Sequence, residues 1–158
     1  MAEIRVDQSH CNHHLSEILG ARGWQILFRD SGRVTRGGTG TQGICLNIFE
    51  QSGLPIPDII AVQGPLLLLL EVDSSVLKAT LSLQTYKRRA EYLIGRFRAI
   101  PELEGLDTLL TGFCRTNIVT DSPRQMKSIF IQLPDLDLCV VFSEPRLPSL
   151  LWRNPMPF

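Results

Sequence analysis

Pro57-Asp58-Ile59-Ile60-Ala61-Val62-Gln63-Gly64-Pro65-Leu66-Leu67-Leu68-Leu69-Leu70-Glu71-Val72-Asp73 reads as two buried strands joined by a tight turn. Pro55 and Pro57 bias the backbone toward extended geometry ahead of Asp58, and Gln63-Gly64-Pro65 marks the turn. Five leucines in succession predict a central strand covered on both faces. Acids stand at the ends of this hairpin. Glu71 and Asp73 share one face of their strand because strand side chains alternate. A carboxylate beside such apolar runs is costly unless a cation or a hydrogen-bond donor meets it. Several of them converging suit a hard divalent cation, which predicts metal-assisted chemistry.

Around the hairpin the periodicity alternates between strand and helix. Leu15, Ile18 and Leu19 predict a first helix over 14–21, and 24–28 predicts a strand. The glycine- and threonine-rich segment 30–43 reads as a loop, while 44–49 fits either a short strand or a helical turn. The strongest helix signal runs from Leu81 to Ala99, where Leu83, Tyr86, Ala90, Leu93, Ile94 and Phe97 form one stripe and Pro101 ends it. Beyond it 106–114 is ambiguous, 117–120 reads as a strand and 122–127 as a helical turn. Strands over 129–133 and 138–142 are joined in this reading by Pro134-Asp135-Leu136-Asp137, and the proline-containing tail from 145 reads as irregular. The fold class expected is α/β, a mixed central sheet flanked by helices in one domain of 158 residues.

Composition narrows the function classes. Sixteen basic and sixteen acidic residues cancel, but Lys78, Lys87, Arg88, Arg89, Arg96 and Arg98 face only Glu91 within 78–98. Such a local patch guides a polyanion even on a neutral protein, although an ordinary solvated helix face has the same composition. The cysteines are scattered, with no Cys-x-x-Cys pair, as in a reduced cytoplasmic protein. The start lacks the basic segment and apolar run of an export signal, and the leucine run is too short for a membrane span.

The paired acids resemble the Pro-Asp…(Asp/Glu)-x-Lys core of the restriction-endonuclease-like nuclease superfamily. Pro57-Asp58 and Glu71-Val72-Asp73 match it, with Asp73 where the family's lysine stands. The likeness covers about 14–119, including the early helix with Glu17 and the long helix after the hairpin. It implies a restriction-endonuclease-like core and a magnesium-dependent endonuclease that hydrolyses DNA phosphodiester bonds, with Mn2+ as substitute for Mg2+. Asp58 and Glu71 would be the principal metal ligands, joined by the Val72 carbonyl. Asp73 would order a water or add a ligand, and Glu17 would assist. Lys87 or Lys78 would bring positive charge to the scissile phosphate. Gln84 and Arg88, four apart on one helix face, would contact backbone phosphates. The expected partners are DNA and a second copy of the chain or a larger nuclease complex, reached through the apolar tail. Replacement of the lysine supports a different class: a catalytically inactive domain kept for nucleic-acid binding or protein assembly. A sensor or scaffold domain without a polyanion ligand is the third reading.

Two other motifs carry weaker chemistry. His10-Cys11-Asn12-His13-His14 has zinc-type donors but spells out no closed four-ligand site, and reads as a histidine-rich flexible terminus. The glycines from Gly37 to Gly43 lack a phosphate loop's Gly-Lys-Ser/Thr ending. With Arg33 and Arg36 beside them, they suit a loop closing over nucleic-acid backbone or an ordinary surface loop. No Ser-His-Asp arrangement is visible.

Overall fold

A computed structural model describes residues 7–30 and 41–154. Six strands form one mixed sheet in chain order: β1 (Gln25–Arg29), β2 (Ile59–Gln63), β3 (Leu66–Asp73), β4 (Thr108–Ile118), β5 (Leu138–Glu144) and β6 (Leu147–Trp152). The first three run antiparallel in turn, β3, β4 and β5 are parallel, and β6 returns antiparallel. Parallel neighbours need crossovers. Helices α3 (Val76–Arg88) and α4 (Ala90–Arg98) supply the first, and α5 (Ser122–Gln132) the second. Helix α1 (Gln8–Ala21) precedes the sheet and α2 (Thr41–Ser52) lies between β1 and β2.

The leucine run sets the layering. Leu67 and Leu69 pack into a core with Phe49, Leu83, Tyr86, Phe97 and Ile129, from α2, α3, α4 and α5. Leu66, Leu68 and Leu70 pack into a second core with Cys11, Leu15 and Leu19 of α1. Four helices therefore cover one face and α1 the other, and β3 is buried on both, as its unbroken apolar sequence requires. The β2–β3 turn places Gly64 at φ 54°, a conformation open to glycine without strain.

Three expectations are corrected, and the open choice at 44–49 is resolved as helix. The long helix breaks at Arg89, which ends α3 and begins α4; Leu83, Tyr86, Leu93 and Phe97 still enter one core, so the stripe hides the corner. The 44–49 segment belongs to α2. The run 129–133 is the end of a helix rather than a strand: Asp121 accepts the Arg124 N–H at 3.3 Å to start α5. Ile129 is then buried while Ile131 is 80 % exposed, whereas a strand would put both on one face. The tail contains β6, and Trp152 stacks on Trp24 with centroids 5.7 Å apart.

Candidate functional site

Asp58 directly precedes β2 and is buried, 7 % exposed. Its main chain joins the sheet early, with its N–H donating to Leu70 O at 3.0 Å and its carbonyl accepting from Asp30 N at 2.8 Å. The carboxylate then crosses the hairpin: Oδ2 accepts the Val72 N–H at 2.7 Å. Oδ1 accepts from Gln8 Nε2 at 2.7 Å, and the same amide donates to the Val72 carbonyl at 3.1 Å. A side chain at the start of α1 therefore stitches Asp58 to β3.

Glu71 is half-buried and sits within hydrogen-bonding reach of Asp58. Its Oε1 lies 2.7 Å from the Tyr86 hydroxyl, which is also 2.8 Å from Pro55 O. A phenol has one proton to donate and here meets two acceptors. The Tyr86 O–H therefore divides between the Glu71 carboxyl and the Pro55 carbonyl. Burial and the neighbouring Asp58 charge push Glu71 up to about 8, against the opposing pull of the Tyr86 hydroxyl. Burial raises Asp58 to about 6, against the opposing pull of the Val72 N–H, with Asp30 adding to the rise. Carboxyls this close hold a proton between them when no cation intervenes.

Magnesium, or manganese in its place, is therefore corrected as a cofactor. No three His, Cys, Asp or Glu side chains among the described residues come together so as to hold a metal ion. The proposed ligands are engaged or dispersed. Asp58 and the Val72 carbonyl take protein donors, and Asp73 Oδ1 accepts the Ser75 N–H at 2.9 Å ahead of α3. Glu17 lies on α1, 62 % exposed at its side chain, and pairs with His13 at 3.0 Å.

The basic residues scatter as well. Lys87 Nζ binds Asp137 Oδ2 at 2.6 Å and Leu109 O at 3.3 Å. Leu109 pairs with Leu67, four residues before Glu71 on β3, so this ammonium is roughly 13 Å along the strand from the acids. Lys78 is exposed in the first turn of α3, Gln84 is half-buried and Arg88 exposed. Arg33 and Arg36 lie outside the described residues. The histidine cluster is part of α1 rather than a loose terminus, and Cys11 faces the core at 0 % exposure. This places the thiol away from the histidines' exposed side.

Sequence reasoning missed the partners. Tyr86 lies on the apolar stripe and is buried in the core, but its hydroxyl also meets Glu71. Gln8 carried no signal, since an isolated glutamine ahead of a helix has no periodicity. Arg115 did carry one: it follows the mostly apolar run Leu109 to Cys114 within the same strand, directly opposite Asp73. The chain matches no family model, no curated protein and no solved structure. No helix among the described residues is long and apolar enough to cross a membrane.

Proposed function

We propose that this chain is a catalytically inactive domain on a restriction-endonuclease-like core that binds nucleic acid through backbone phosphates without cutting it. The observation that carries the inactivity is the state of Asp58, whose two carboxylate oxygens both accept protein N–H donors. A cation would have to compete with these donors for Asp58, and no three His, Cys, Asp or Glu side chains among the described residues converge to complete its ligand set. Asp73 in the motif's lysine position and Lys87 tied to Asp137 act in the same sense.

The nuclease-like reading is supported by the order of helix, strand, antiparallel hairpin, helical crossover and parallel strand around the acids. The inserted α2 departs from the simplest form of that order. Nucleic-acid binding is supported by the α3–α4 surface, where Arg88, Arg89 and Arg98 are exposed and Arg96 half-buried. Arg89 and Arg96 both lie over the Tyr92 ring, at 4.5 and 5.9 Å from its centroid, which presents the guanidinium groups as a fixed array. Assembly with another protein is a second reading, favoured by Leu77 and Leu81, which are 80 % and 71 % exposed one helical turn apart.

The test is to incubate the purified chain with duplex, single-stranded and branched oligonucleotides in Mg2+ or Mn2+. No cleavage is expected with either metal, together with binding that weakens steeply as salt rises. Cleavage that disappears in Asp58→Ala overturns the inactivity; absence of binding at low salt overturns the nucleic-acid role.

A further inference from the structure

We infer that the pocket between the end of β4 and the start of α5 binds one phosphate group, with the Arg115 guanidinium as its counter-charge. The pocket, about 190 Å3, is lined by Arg115, Asn117, Ile118, Val119, Thr120 and Gln125. It lies where β4 ends, beside the carboxyl end of parallel β3, the edge at which open α/β sheets take ligands. At this size it is below the roughly 300 Å3 at which whole small-molecule sites begin. One anionic group fits inside, and whatever carries that group stays outside.

The cation in this pocket is short of partners. Arg115 is half-buried, and its Nε is closed to solvent with no hydrogen-bond acceptor among the described residues. A 3.4 Å contact from Nη1 to Gln125 Oε1 is its only side-chain hydrogen bond there. A guanidinium has five N–H donors, and withdrawing its charge from water without compensation is costly. Asp73 stands opposite Arg115 in the strand ladder but forms no ion pair with it. The described ion pairs are His13–Glu17, His14–Glu17 and Lys87–Asp137. Asp73 turns to the Ser75 N–H and Asp121 to the Arg124 N–H, so each acid serves its own helix start.

A phosphate would pair with the terminal Nη1 and Nη2 groups, whose N–H donors match two of its oxygens, and would neutralise the charge without contact at the solvent-closed Nε. Its other oxygens face Gln125, which presents its Oε1 to Arg115 and keeps Nε2 as a donor, and the exposed Thr120 hydroxyl. The site is distinct from the α3–α4 arginine surface and stands without it.

Thermal unfolding in inorganic phosphate, against sodium chloride of equal ionic strength, tests the site alongside backbone-amide NMR. For the wild type, Tm is expected to rise by about 3–6 °C at phosphate ten times its Kd, and the Thr120 and Gln125 amides to shift saturably. Arg115→Gln is expected to lose both responses. In chloride its Tm is expected to equal or exceed the wild-type value, because an uncompensated charge has been removed. Arg115→Lys, which keeps the charge and loses the fork, is expected to respond more weakly. The same amide shifts with an oligonucleotide lacking terminal phosphates assign the site to a nucleic-acid backbone; shifts with inorganic phosphate alone assign it to free phosphate. The proposal is overturned by a wild type without saturable shifts. It is equally overturned by an Arg115→Gln protein that keeps the phosphate response or is markedly less stable than wild type in chloride.

Discussion

Glu71 illustrates how one residue's surroundings reverse the meaning of its side chain. In a sequence, an acid after five leucines suggests a ligand for a cation; in the fold, its neighbours are Asp58, Tyr86 and Asp73. The consequence is a pH dependence of fixed sign. Asp58 rises from 3.8 to about 6 and Glu71 from 4.5 to about 8 on folding, so at intermediate pH the folded chain holds protons that the unfolded chain has released. The stability that these two carboxyls contribute is therefore fully present below about pH 4 and is lost as pH rises through their folded values. Tm is expected to fall steadily between about pH 5 and pH 8. Glu71→Gln keeps an amide donor and acceptor in the same place without the charge. That variant is expected to flatten the profile and to exceed wild type by about 2–4 kcal/mol at pH 8, allowing for partial exposure. Urea unfolding at both pH values measures this, and parallel profiles for the two proteins would remove Glu71 as the source.

At the scale of elements, Gly112 shows how closely β3 and β4 are fitted. A Cβ at this position would stand 3.1 Å from Leu70 Cδ1 and 3.2 Å from Leu70 Cγ, both on the face covered by α1. Gly112→Val is expected to cost about 1–3 kcal/mol through overpacking, read as a lower urea midpoint with an unchanged slope. A midpoint equal to wild type would mean that the leucines have room to move aside. The same fit explains what the sequence discloses. The β2–β3 hairpin was legible because a turn signal and an uninterrupted apolar run leave few alternatives. The end of α5 was not, since Ile129-Phe130-Ile131-Gln132-Leu133 satisfies both periods over so short a run. Only the cap at Asp121 decides between them. The same limit applied to the candidate site. Its acids were visible, but Gln8, which occupies Asp58, stands 50 residues earlier in the chain, and only tertiary structure shows that the acids meet donors rather than a metal.

Across the whole molecule, charge is divided between the two ends of the sheet. The carboxyl cluster sits beside the carboxyl end of β3, whereas Lys87, next to Arg88 and Arg89, is anchored near the opening residues of β4 and β5. On the proposed reading, a polyanion at Arg88 and Arg89 would be kept at a distance from Asp58 and Glu71, which would repel it. This separation would let a chain with no net charge bind a polyanion in a strongly salt-dependent way. Each phosphate contact contributes about 0.7 (single strand) to 0.9 (duplex) to the slope of log affinity against log salt. Replacing Arg88 and Arg89 together with glutamine is expected to flatten that slope by about 1.4–1.8. The fold is expected to be undisturbed, because both side chains are exposed. Fluorescence anisotropy of a labelled oligonucleotide across a salt series supplies the slope, and thermal unfolding of the double variant supplies the control. An unaltered slope would place the phosphate contacts on another surface. A flattened slope with wild-type Tm would tie binding to the α3–α4 corner, where the helix breaks at Arg89.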